Sequence, residues 1–115
     1  MRRALLLLAW ATAAPAWAAP GPGPGRYDGR FCVSVAQAAP ACGPVQVEVL
    51  REQRLRVRIA DIVYLLALRS SQLDVVLMHG TMQIDEFAGP YEWAGEALQF
   101  DDLQKRTRYQ LTLTR

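Results

Sequence analysis

The chain is poor in the residues that most chemistry needs. Its 115 residues hold one histidine, His79, two cysteines, Cys32 and Cys42, and three serines, Ser34, Ser70 and Ser71. A zinc centre takes three or four His, Cys or carboxylate ligands, and a lone histidine beside one cysteine pair does not supply a recognisable set. None of the serines lies in a G-x-S-x-G elbow. The cysteines are not spaced C-x-x-C, and the D-x-[DN]-x-[DN]-G calcium pattern is missing. There is no internal repeat, and no apolar run is long enough to hold a stable helix across a bilayer. The expectation is therefore a non-enzymatic protein with no catalytic residue, metal or cofactor.

What is present begins with an export signal. Arg2 and Arg3 supply a positive start, residues 4–14 an apolar stretch, and Ala16-Trp17-Ala18 an A-x-A cleavage site, so residues 1–18 read as a secretory signal. A lipoprotein would carry a cysteine directly after the apolar run; the first cysteine is Cys32, so no lipid anchor is implied. The mature chain is expected to be periplasmic or secreted, without an integral membrane span. In an oxidising compartment Cys32 and Cys42 read as one disulfide. Closing so short a loop contributes about 2–3 kcal/mol in the chain-entropy picture, a useful margin for a domain this small.

Loss of the signal also removes two of thirteen basic residues, leaving eleven against eleven acids. A nucleic-acid partner calls for a basic excess on the mature domain, so none is expected. Residues 19–26, which begin "APGPGPG", form a Pro/Gly-rich flexible linker, and residues 27–115 form a single domain.

Within that domain the prevailing pattern is alternation, the signature of strands with one wet face. Tyr109, Leu111 and Leu113 alternate with Arg108, Gln110, Thr112 and Thr114. Val45, Val47 and Val49 alternate with Gln46 and Glu48, and Leu55, Val57 and Ile59 with Arg54, Arg56 and Arg58. Pairing Val49 with Leu55 and Val47 with Val57 sets Glu48 opposite Arg56. Pairing Phe100 with Tyr109 and Leu98 with Leu111 sets Asp101 opposite Arg108. Both registers place opposite charges face to face. Residues 61–68 are apolar throughout and fit a strand buried on both faces or a short buried helix; Ile, Val and Tyr favour the strand. Gly and Pro punctuate the remainder at short intervals. The expected fold is all-β: an antiparallel meander of eight or nine short strands, closed or nearly closed into a barrel, or else a two-sheet sandwich. The small interior should be filled by side chains.

Candidate binding residues fall in the second half. His79 precedes Gly80 at an expected hairpin tip. Asp85 and Glu86, adjacent on a strand, should point to opposite faces and so cannot act as a carboxylate pair. Residues 70–104 hold seven acids and no lysine or arginine, with basic residues collected on either side. Either oppositely charged strands neutralise each other, or an acidic face captures a cationic partner. Tyr91 and Trp93 share a strand face that is either core or, rimmed by Glu92 and Glu96, a contact patch for protein or sugar. The candidate partner-binding set is thus His79, Asp85, Glu86, Tyr91, Glu92, Trp93 and Glu96.

In size, export signal, single disulfide and acidic loops the chain is similar to small periplasmic lysozyme inhibitors, and that resemblance implies a domain that blocks a cationic enzyme. The broader expectation is a binding domain for a protein or polymer of the cell envelope. A structural or assembly component of an envelope complex and a small lipocalin-like carrier are the alternatives.

Overall fold

The computed structural model describes residues 22–114. The expected signal, residues 1–18, and the first part of the linker lie outside them. The described chain forms nine strands: β1 (Gly25–Val35), β2 (Ala41–Leu50), β3 (Arg54–Ile59), β4 (Ile62–Leu68), β5 (Leu73–His79), β6 (Met82–Gly89), β7 (Tyr91–Ala94), β8 (Ala97–Asp102) and β9 (Thr107–Thr114). They make one sheet in the order β6-β5-β4-β3-β2-β1-β9-β8-β7, antiparallel at every pairing. β1 starts two residues before the expected domain boundary, because Gly25 and Arg26 find partners in Val49 and Glu48 of β2.

This sheet curls into a nearly closed barrel. β6 runs antiparallel to β5, and β7 antiparallel to β8. Only Pro90 joins them, so β6 and β7 continue in one direction as a single bent stave. Nine strands therefore make eight staves of a regular up-and-down meander. The bent stave pairs with β5 over its first half and with β8 over its second. At the bend the chains come very close: a Cβ on Gly89 would lie 1.8 Å from the Asp101 carbonyl oxygen, so only glycine fits. Next to it the Asp101 N–H donates to the Pro90 carbonyl at 3.2 Å. Further along, the Tyr91 hydroxyl donates to the Arg69 carbonyl at 2.5 Å.

The expected registers are the observed ones. Glu48 lies opposite Arg56 and Val47 opposite Val57; Asp101 lies opposite Arg108 and Leu98 opposite Leu111. Residues 62–68 are a strand, not a helix. The Cys32–Cys42 disulfide is formed between directly opposed positions of β1 and β2. One irregularity was not foreseen: Leu77 pairs with Asp85 but Met78 with Gln83, which leaves Ile84 as a bulge in β6, 49% exposed.

Side chains fill the interior. Val57, Leu98 and Leu111 are completely buried, and Phe100, Val75 and Leu73 nearly so. Fully burying an aliphatic or aromatic side chain of this size contributes about 1.5–3 kcal/mol. The aromatic part of the core is built around Tyr109, whose ring stacks on Phe100 at 4.9 Å and on Phe31 and Phe87 at 5.6 Å each.

Candidate functional site

The seven candidate residues do not form one site. His79 ends β5, exposed, opposite Ile62 and Met82, beside the two-residue turn that contains Gly80 at φ 64°. Glu96 sits in the turn between β7 and β8, exposed, and its carbonyl accepts from the Leu113 N–H at 3.1 Å. These turns lie at opposite ends of the barrel, because β5 and β7 run in opposite directions. Asp85 and Glu86 diverge as strand geometry requires: Asp85 pairs with the core-facing Leu77, Glu86 with the outward Val76.

Three of the seven acids of the lysine- and arginine-free stretch are engaged in ion pairs. Asp85 is bonded to Lys105. Asp101 accepts two bonds from Arg108, at 3.0 and 3.3 Å, and Asp74 accepts from Arg69 at 2.6 Å. Hydrogen bonds from Arg69 and Lys105 hold the Asp74 and Asp85 carboxyls below the usual carboxylate range. Asp102 is 2% exposed; Oδ1 accepts from the Lys105 N–H at 3.3 Å, and Oδ2 has no partner among the described residues. Glu86, Glu92 and Glu96 remain as exposed acids outside these pairs. Among the described residues, no three His, Cys, Asp or Glu side chains are grouped to hold a metal.

Tyr91 and Trp93 are half-buried and pack against the core. They also line an open depression at one barrel end with Gln53, Arg69, Ser70 and Ser71. The two sequence readings of this pair, core and contact patch, thus each describe part of the same side chains.

The surface with the clearest character includes only Glu86 of the seven candidate residues. β4 and β5 present Ile62, Tyr64, Leu66 and Leu68, and Leu73, Val75 and Leu77, to the core. Their other faces carry Val63, Leu65 and Ala67 on β4 and Val76 and Met78 on β5, all partly exposed. The registers place these residues in transverse rows: Arg56, Leu65, Val76 and Glu86 in one, Arg58, Val63, Met78 and Gln83 in the next. The outside of the barrel therefore bears an apolar stripe with the arginines of β3 along one flank and Glu86 on the other. Its centre is concave, lined by Leu65, Ala67, Val76, Arg54, Arg56 and Glu86 among others. No described element packs over it. Arg56 is 3.6 Å from Glu48, whereas Arg54 and Arg58 have no carboxylate partner among the described residues. The signal was in the sequence: an apolar run over both parities of residues 62–68 implies two buried faces, but a single-layered barrel supplies a covering for only one of them.

Elsewhere the outer positions are mainly polar, among them Arg26, Asp28 and Arg30 on β1, Gln99 and Asp101 on β8, and Arg108, Gln110 and Thr112 on β9; the exposed large apolar side chains there are Val35 at the end of β1, Met82 and Ile84 of β6 and Leu103 after β8. Comparison of the chain with protein-family models, with curated proteins and with solved structures returned no match.

Proposed function

We propose that this chain is an exported, non-enzymatic binding domain whose working surface is the outside of its barrel, where β4 and β5 meet a macromolecular partner in the cell envelope. The observation that carries this reading is the partly exposed row of Val63, Leu65, Ala67, Val76 and Met78 on a barrel whose interior is already full. Contiguous apolar surface on a small domain marks an interaction site. A lipid-facing barrel would carry such residues all the way round, but here the contiguous apolar rows lie on β4 and β5, while the outer positions of β3, β8 and β9 are mainly polar or charged. The packed interior also argues against a lipocalin-like carrier. The disulfide suits the oxidising compartment that the export signal implies.

The test is retention of envelope proteins on the immobilised chain, compared for wild type, Leu65→Glu and Thr112→Glu, the last a control on the polar face. Loss with Leu65→Glu and retention with Thr112→Glu is the expected result; equal retention by all three would refute the reading. A second reading, inhibition of a cationic enzyme such as lysozyme, is supported by Glu86, Glu92 and Glu96, exposed and outside the ion pairs. It predicts binding to lysozyme at low ionic strength that salt abolishes. No binding under those conditions removes it.

A further inference from the structure

The charges that flank the stripe specify a partner, and we infer that it is a second copy of this chain, packed stripe on stripe about a two-fold axis parallel to the strands. The inference rests on the reading of the β4–β5 face as a docking surface. An isologous interface requires a surface complementary to itself, and this one is complementary in only one orientation.

Consider the row Arg56, Leu65, Val76 and Glu86, one residue from each of β3, β4, β5 and β6. A two-fold axis running between β4 and β5, along the strands, exchanges β3 with β6 and β4 with β5. Leu65 then lies over Val76 of the second copy, and Arg56 over its Glu86. In the next row the same operation sets Val63 over Met78, and Arg58 over the neutral Gln83. In the third row, Arg54, Ala67, Asp74 and Ala88, Ala67 lies over Asp74 and Arg54 over Ala88, so apolar side chains meet apolar ones at the centre of two rows, and opposite charges meet at both rims of the first. The other in-plane axis, perpendicular to the strands, lays β3 over β3. It would set Arg56 on its own copy and Arg54 on Arg58 of the second copy, the latter two without any carboxylate to offset the repulsion. Like charges brought together in this way select against that arrangement. The allowed arrangement is also the aligned mode in which two sheets normally pack.

Size sets the strength. Four strands at about 4.8 Å spacing and three rows of alternate residues cover roughly 20 by 20 Å, on the order of 400 Å² per copy, about half the standard interface. Such a contact is transient, and dissociation at tens to hundreds of micromolar is expected.

The test is sedimentation equilibrium of the chain, exported with its disulfide formed, from about 5 to 500 μM. The weight-average mass should rise from monomer towards dimer across that range. Leu65→Glu should weaken association at least tenfold, Arg56→Glu and Glu86→Arg severalfold each, and the double charge swap should restore most of the loss. Circular dichroism and the unfolding midpoint establish that each variant is folded; should Leu65→Glu fail that check, Val76→Thr takes its place. Monomer at every concentration, or a double swap no better than either single change, overturns the inference. If monomeric wild type still loses envelope retention on Leu65→Glu, the pairing falls and the docking surface stands. If neither mass nor retention responds, both fall.

Discussion

The two outer faces of this barrel solve the same folding problem with different residues. Behind β8 and β9 the core is Leu98, Phe100 and Leu111; behind β4 and β5 it is Leu66, Leu73 and Val75, and all six are no more than 2% exposed. On the outside, β8 and β9 pair Asp101 with Arg108 and Gln99 with Gln110, whereas β4 and β5 pair Leu65 with Val76 and Val63 with Met78. A polar exterior thus suffices to hold strands over a packed interior in this fold. The apolar exterior of β4 and β5 adds nothing the fold requires and brings the hazard of unwanted association, which is the physical reason for assigning it to a partner.

The sharpest way to break that comparison is to truncate the two neighbouring leucines of β4. Leu66 is 2% exposed and packed within the barrel, so Leu66→Ala should cost about 2–5 kcal/mol in equilibrium unfolding. Leu65, one residue away on the outer face, should cost less than about 1 kcal/mol in the isolated monomer. Similar losses for both would mean that the outer face is part of the folding core, and the case for docking would collapse.

Next in size is the bend where the two halves of the sixth stave change partners. Gly89→Ala forces a Cβ into the Asp101 carbonyl. Since backbone and not a flexible side chain is in the way, a loss of about 3 kcal/mol is expected, together with faster hydrogen exchange at the Asp101 amide. A variant as stable as wild type would show that closure at Gly89 and Pro90 is dispensable.

Much of this was legible from alternation alone. The β2–β3 and β8–β9 registers followed from keeping apolar sets on one side, because a slip of one residue would turn Val47 or Leu111 to water. The disulfide followed from count and compartment. Less legible was the continuity of β6 and β7: Gly-Pro reads as a turn, and only the approach of Gly89 to Asp101 makes it a bend within one stave. Nor could the proposed docking surface be found from the residues that look like chemistry. His79 and Glu96 are local turn residues at opposite ends, and Asp85 is engaged by Lys105, twenty positions on. Rows across four strands are a property of register, and Leu65 becomes a neighbour of Val76 only once β4 and β5 are paired.

A smaller effect separates the interior from both faces. Burial is the main cause that pushes the Tyr109 hydroxyl up to about 12, with Tyr64, Asp102 and Asp85 adding to it. An unfolded tyrosine ionises near pH 10, so the folded state holds its proton more tightly. Its contribution is complete below about pH 10 and is lost as pH rises towards 12. Tyr109→Phe keeps the ring stack with Phe100 and should flatten the alkaline limb of a stability-against-pH curve. An unchanged limb would place the loss elsewhere, with Lys105 the next group to examine, since Asp85 raises it above its ordinary range.

The smallest expected effects are on the surface, where the faces should look most alike. Asp74, on the margin of the apolar face, is held below the usual carboxylate range first by the hydrogen bond from Arg69, and Asp85 first by that from Lys105. A carboxyl depressed in the folded state contributes its stability above the unfolded value, about pH 4, and loses it as pH falls through the folded value. Arg69→Met and Lys105→Met should therefore differ little from wild type at pH 7, where exposed ion pairs are weak. Both should show a shallower fall in the unfolding midpoint between pH 4 and pH 2, and that difference should shrink in high salt. Arg108→Met, on the polar face, should cost no more than about 1 kcal/mol at neutral pH. A much larger loss there would mean that the charged exterior of β8 and β9 holds the barrel together, and that the two faces differ in their role in folding as well as in what they meet.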